Sequence, residues 1–278
     1  MAIRFGLLAP LALFAAPLAA EPWALPRSDV VETAAPDGHV YRVLVAWPEG
    51  PPPREGWPVL WVLDGVDNFA VATVTARRLA QAGKRSGVEN GVIVALDSGS
   101  LARRITDYTP HVPGYVIAPG KPAHGFALGG ADRFLDFIDA RLRPMLAERL
   151  PIDPRRQTLA GHSFGGLLAL HAARQGRNYS GFAAVSPSLW YGDGEFPAHP
   201  PTSAARRASR LLVAISPEAG DAGQAGRDVA RDLAGDWQAA GYDTQFLDLP
   251  GQDHGSTMLA AMSAIIKTAF SSEETPCC

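Results

Sequence analysis

The chain has 278 residues, enough for one large domain or two small ones; 47% are apolar and 19% charged, which excludes a wholly disordered chain. Its 25 Lys and Arg against 28 Asp and Glu give a formal net charge of −3 and exclude a bulk basic field for nucleic acid. The 28 Gly and 24 Pro follow no triplet period, which excludes collagen, and the two Cys, adjacent at Cys277 and Cys278, exclude a disulfide framework or a four-Cys zinc site.

Residues 1–20 read as a cleaved secretory signal: Arg4, an apolar run from Gly6 to Ala20, then the small residues before Glu21-Pro22. That run is short for a membrane span, and no later stretch is apolar for long enough, so the expectation is an exported chain, periplasmic or secreted, without stable membrane insertion. His39 to Trp47 alternates as an edge strand does, and the proline-rich Glu49 to Pro58 reads as a loop. Val59 to Leu63 is a buried strand ending at the turn signal Asp64-Gly65. Asn68 to Ala82 has helical spacing, and Gly91 to Leu96 is another buried strand. Ser98 to Gly130, rich in Gly and Pro, reads as a long functional loop, followed by an amphipathic helix over Asp132 to Leu150. Further strands are expected at Gln157–Ala160, Phe182–Val185, Leu211–Ile215 and Thr244–Leu249. Further helices are expected at Phe164–Gln175, Arg227–Ala239 and Thr257–Phe270. Strands alternating with helices imply an α/β domain with a mostly parallel sheet and helices on both faces. It spans residues 21–270, followed by a disordered tail at 271–278, with the Cys pair as part of that tail.

Gly161-His162-Ser163-Phe164-Gly165 is a G-x-S-x-G segment between a buried strand and a helix, the context of a strained nucleophile elbow. A side chain at Gly161 or Gly165 is expected to clash there. The turn presents Ser163 at the carboxyl end of the sheet, where the Phe164 N–H and the helix N-terminus face a developing oxyanion. A serine hydroxyl needs a base. Of the seven histidines only His254, in Pro250-Gly251-Gln252-Asp253-His254-Gly255, lies in a loop after the last strand. The acid that orients the base is expected after Leu211–Ile215, where Glu218 is favoured over Asp221, or there is no acid at all; Asp253 and Asp248 read as loop and strand carboxylates. A second oxyanion donor is expected from the backbone of Gly65 or Val66. No metal or organic cofactor is required by this chemistry.

These residues resemble the esterase D type of α/β-hydrolases, and more narrowly the periplasmic esterases that open enterobactin- and salmochelin-like trilactones. The segments carrying the resemblance are Val62-Leu63-Asp64-Gly65, Arg103-Arg104-Ile105-Thr106-Asp107-Tyr108-Thr109-Pro110, Gly161 to Gly166, and Val185-Ser186-Pro187-Ser188-Leu189-Trp190. It covers Val40 to Phe270, and departs from the family pattern at Val66, where Asn is usual, and at Tyr191, where a second Trp often stands. The resemblance implies an α/β-hydrolase fold, Ser163 as nucleophile, His254 as base, and in some members a Ser–His dyad without an acid. It implies an anionic catecholate siderophore as substrate. Arg103 and Arg104 would hold such a trianion by charge and stacking, and Trp190 by stacking. The alternative for the arginines is a solvated loop or a salt bridge to Asp107, and for Trp190 a packed aromatic.

Overall fold

The computed structural model describes residues 23–194, 200, 209–216 and 221–272, the side chains of 221–224 excepted. Residues 1–20, expected as a leader, and Glu218, Cys277 and Cys278 lie outside the described residues.

Among the described residues, eight strands form one sheet in the order β1-β2-β4-β3-β5-β6-β7-β8. They are β1 (Ser28–Ala34), β2 (Val40–Ala46), β3 (Trp57–Leu63), β4 (Val92–Asp97), β5 (Ile152–His162), β6 (Gly181–Val185), β7 (Arg210–Ile215) and β8 (Asp243–Asp248). β1/β2 and β2/β4 are antiparallel, and every other pair is parallel. The helices are α1 (Gly65–Gln81), α2 (Leu101–Tyr108), α3 (Ala131–Phe137), α4 (Arg143–Arg149), α5 (Phe164–Gln175), α6 (Asp221–Ala239) and α7 (Thr257–Phe270).

β3 is apolar at every position, and β4 at all but its final Asp97, because both faces of the sheet are covered there. Val59, Trp61 and Leu63 of β3 point into the core formed with α2 to α6, while Leu60 and Val62 point into the core formed with α1 and α7. Buried polar groups in the sheet are paired: Trp61 Nε1 donates to Gln157 Oε1 at 2.7 Å, and Gln157 Nε2 donates to the Asp153 carbonyl at 2.9 Å. This is the single-domain α/β-hydrolase arrangement, in which the parallel strands deliver their carboxyl ends to one edge of the molecule.

Three expectations are corrected. β2 is not an edge strand; β1 flanks it, and β1 escapes a pattern search because most of its residues are exposed. The stretch 98–130 is not all loop, because Ser100 caps α2, its Oγ accepting from the Arg103 N–H at 3.2 Å, and Ile105 and Tyr108 are buried. The helix over 132–150 is interrupted by a π turn at Ile138–Leu142, where the Arg143 N–H reaches the Ile138 carbonyl. Pro144 follows, and the widened turn accommodates a residue with no N–H to give.

Candidate active site

Ser163 ends the run of β5 with φ 59 and ψ −117, a strained backbone for a residue other than glycine. Its neighbours hold it there. The Ser163 N–H donates to the Val185 carbonyl at 2.9 Å, and its own carbonyl accepts from the N–H groups of Leu167 at 3.0 Å and Ser188 at 3.1 Å. A Cβ on Gly161 would lie 2.5 Å from the Gly165 backbone, so the strand can meet its own helix only through glycine there. The expectation for Gly165 is corrected: its closest contact would be Leu63 Cδ1 at 3.3 Å, a side chain that can shift. Gly166 is tighter, 3.0 Å from the Val185 carbonyl oxygen. α5 starts immediately after Ser163, so the Phe164 N–H belongs to a first turn whose donors have no helical acceptor.

The second helix start at the site is that of α1. Asp64 sits in the left-handed region, φ 56 and ψ 57, and Asn68 Nδ2 donates to the carbonyls of Leu63 and Asp64 at 3.0 and 3.2 Å. Gly65 is required by closeness, since a Cβ would stand 2.9 Å from the Leu96 carbonyl carbon. Gly65 and the exposed Val66 are thereby the first donors of α1, at the carboxyl end of the strand beside β5.

His254 is carried by a turn before α7. The Ser216 hydroxyl at the end of β7 donates to the Gln252 carbonyl. The Asp253 carboxylate accepts from the Ser256 N–H at 2.7 Å, and the Ser256 hydroxyl accepts from the Asp253 N–H at 3.0 Å. This reciprocal cap commits Asp253 to the loop, and its hydrogen bonds from Ser256 hold its carboxyl below the usual carboxylate range. The His254 ring is exposed and packs on His162 with centroids 4.4 Å apart. Burial, then the neighbouring His254 and Arg104, push His162 down to about 4, so His162 is neutral at neutral pH. Ser163 Oγ meets Ser188 Oγ at 3.4 Å.

Of the acid candidates, Glu218 lies outside the described residues, and Asp221 heads α6 with its side chain undescribed. Asp248 is paired with Arg227, in keeping with a structural carboxylate.

Both arginines are committed to carboxylates. Arg103 Nε lies 2.9 Å from Asp107, its Nη1 donates to Asp37 at 2.5 Å, and its Nη2 donates to the Tyr41 hydroxyl at 2.6 Å. The salt bridge to Asp107 is the alternative raised for it above. Arg104 grips Asp64 with two hydrogen bonds, 2.5 and 2.8 Å, and reaches the His162 carbonyl at 3.2 Å. Burial works against its charge, but Asp64 overrides this and keeps the guanidinium pKa raised. Asp64 also donates its N–H to the Tyr108 hydroxyl at 3.2 Å, and the guanidinium lies over the Tyr108 ring. Arg104 thus links the start of α1 to His162, the residue before Ser163. Trp190 is half-buried and edge-on to Phe164, centroids 5.7 Å apart. Tyr191, in the place of the second Trp, is buried and donates to the Pro110 carbonyl at 2.8 Å.

Sequence reasoning missed Asp64 as the partner of Arg104, His162 as the neighbour of His254, and Ser188 beside Ser163. The D-G turn and the S-P-S-L-W segment marked two of these places without revealing the contacts. Among the described residues, no group of three or more His, Cys, Asp or Glu could hold a metal ion, and no helix is long and apolar enough to cross a membrane.

Comparison with known proteins agrees with this architecture. The chain is 36% identical over 182 residues to the siderophore triacetylfusarinine C esterase of Aspergillus fumigatus, covering 61% of this chain and 59% of that protein. It is 29% identical over 163 residues to the ferri-bacillibactin esterase BesA of Bacillus subtilis, covering 55% of each. The chain thus spans less than two thirds of the length of these curated relatives. The crystal structure of the BES protein from Bacillus cereus superposes with a TM-score of 0.79 at 22% identity, over 91% of this chain and 99% of that one, a likeness of fold. The esterase family model, described as "Putative esterase", matches residues 35–241, and the chain belongs to that family.

Proposed function

We propose that this protein is a serine esterase that hydrolyses the ester bonds of a siderophore. The observation that carries the reading is Ser163, strained at the end of β5 and backed by two helix starts, with His254 held on the turn before α7. The siderophore esterases similar to this chain support the substrate class. The reaction is a two-step acyl transfer. Ser163 Oγ attacks the ester carbonyl while its proton passes to His254, and the Phe164 N–H with a donor from Gly65 or Val66 stabilises the oxyanion. His254 returns the proton to the leaving alkoxide. Water, deprotonated by His254, then releases the acid and restores the Ser163 hydroxyl.

The finer proposal is a catecholate trilactone such as enterobactin, met outside the cytoplasm. The export reading rests on the sequence of residues 1–20 alone. With Arg103 and Arg104 in ion pairs, recognition does not rest on free guanidinium groups, and the half-buried Trp190 is a ring that could stack on the substrate.

The test is a mass-resolved hydrolysis assay with ferric and iron-free enterobactin, run with the wild type and Ser163→Ala. Linear trimer, dimer or monomer appearing only with Ser163 present is the expected result. Absence of siderophore cleavage, together with Ser163-dependent turnover of a p-nitrophenyl ester, would leave an esterase of another substrate.

A further inference from the structure

Ser188 lies beside Ser163, and this mechanism leaves its hydroxyl without a task. Its residue is 5% exposed, and among the described residues its hydroxyl has one hydrogen-bond partner, Ser163 Oγ at 3.4 Å. Several other buried hydroxyls satisfy themselves locally: Thr73, Thr109 and Thr268 each donate to the carbonyl four residues back. Ser188 does not, although its backbone is fixed on both sides. Its N–H donates to the Ser163 carbonyl at 3.1 Å, and its carbonyl accepts from the Tyr191 N–H at 3.1 Å. Two residues earlier Ser186 has φ 38, with its N–H on the Ala214 carbonyl at 2.7 Å. A left-handed residue other than glycine persists only where the surroundings over-determine it, and here it turns the chain so that Ser188 faces the nucleophile.

We infer that Ser188 is a further catalytic residue, whose hydroxyl donates a hydrogen bond to Ser163 Oγ when that oxygen carries negative charge. This rests on Ser163 being the nucleophile. During attack, a lone pair of Oγ forms the bond to the ester carbon, the carbonyl π pair moves onto its oxygen, and the Oγ proton goes to His254. In deacylation, the bond from Oγ to the acyl carbon breaks, the pair returns to Oγ, and the proton comes back from His254. Charge builds on Oγ in both steps. Ser188 keeps its own proton throughout and supplies only the hydrogen bond. The resting separation is long for O–H···O, and it shortens as charge develops, because bonds to an ionised acceptor are shorter and stronger.

The experiment compares wild type, Ser188→Ala, Ser188→Thr and Ser163→Ala in two assays that need no siderophore. One is steady-state hydrolysis of p-nitrophenyl acetate, and the other is the rate of covalent inactivation by a fluorophosphonate. Ser188→Ala is expected to lower kcat and the inactivation rate together by roughly tenfold with KM little changed. Ser188→Thr, which keeps a hydroxyl, is expected to recover part of the loss. Ser188→Ala rates within about twofold of wild type, or a loss carried by KM alone, would overturn the inference. Near-ultraviolet circular dichroism checks the fold of each variant, and Ser188→Cys, with a weak donor in the same volume, replaces any that does not fold. A wild type that the fluorophosphonate does not label at Ser163 would sink the esterase reading itself, while failure on siderophores alone leaves the role of Ser188 standing.

Discussion

At the scale of single residues, the proposed nucleophile Ser163 and proposed base His254 stand out in the sequence because both lie in local patterns. G-x-S-x-G announces itself between an apolar strand and a helix, and His254 is the histidine in the loop after the last strand. The glycines of that turn are not equivalent. Gly161→Ala places a methyl group 2.5 Å from the Gly165 backbone, with nothing free to move, whereas Gly165→Ala meets only the Leu63 side chain at 3.3 Å. Urea unfolding should therefore show a loss of more than about 2 kcal/mol for Gly161→Ala and less than about 1.5 kcal/mol for Gly165→Ala. Equal losses would mean that the close approach at Gly161 is relieved by movement of α5. The partners of the arginines were not legible, because Asp37 lies 66 positions from Arg103, and Asp64 lies 40 from Arg104. An R-R pair in isolation looks like an anion clamp, and only the folded chain reveals the carboxylates that occupy it.

At the scale of elements, long apolar strands and the helices α5 and α7 were read to the residue or close to it, since tertiary packing and local pattern agree there. β1 and α2 were missed for opposite reasons. β1 is too exposed to alternate cleanly, and α2 is eight residues inside a segment full of Gly and Pro. Yet α2 carries the side chain that joins three elements at the site. Arg104 binds the Asp64 carboxylate before α1 and the His162 carbonyl at the end of β5. Arg104→Ala orphans that carboxylate and loosens the start of α1, where Gly65 and Val66 offer their N–H groups. The expected result is a fall in kcat of roughly tenfold or more for both an uncharged p-nitrophenyl ester and an anionic siderophore, with KM little affected. A loss confined to KM for the anionic substrate would assign Arg104 to substrate charge instead.

At the scale of the whole molecule, stability should decline as the solution becomes mildly acidic. His162 titrates in the folded chain at about 4, against about 6.5 when unfolded, and His171 is lowered in the same direction, in each case first by burial. Between those values the unfolded chain binds more protons than the folded one, so unfolding is favoured as pH falls from 6.5 to 4. Each histidine contributes at most about 1.4 kcal/mol per pH unit. Below that window the carboxylates held low, Asp132 and Asp253 among them, lose their share as they protonate. Denaturant titrations at pH 7, 5.5 and 4.5 should show this slope, and His162→Phe, which keeps a ring against His254, should flatten it. An unchanged slope in that variant would assign the acid sensitivity elsewhere.

The two rims of the sheet, β1 and β8, have a bearing on behaviour at high concentration. An open strand offers a row of unpaired amides to any passing copy. Here Asp29 and Asp248 are paired with Arg149 and Arg227, which among the described residues leaves Glu32 on one rim and Asp243 on the other, so a second molecule approaching either border edge-on meets a like negative charge. Crowded copies are thereby discouraged from extending the sheet across molecules, and resistance to aggregation is written along its borders.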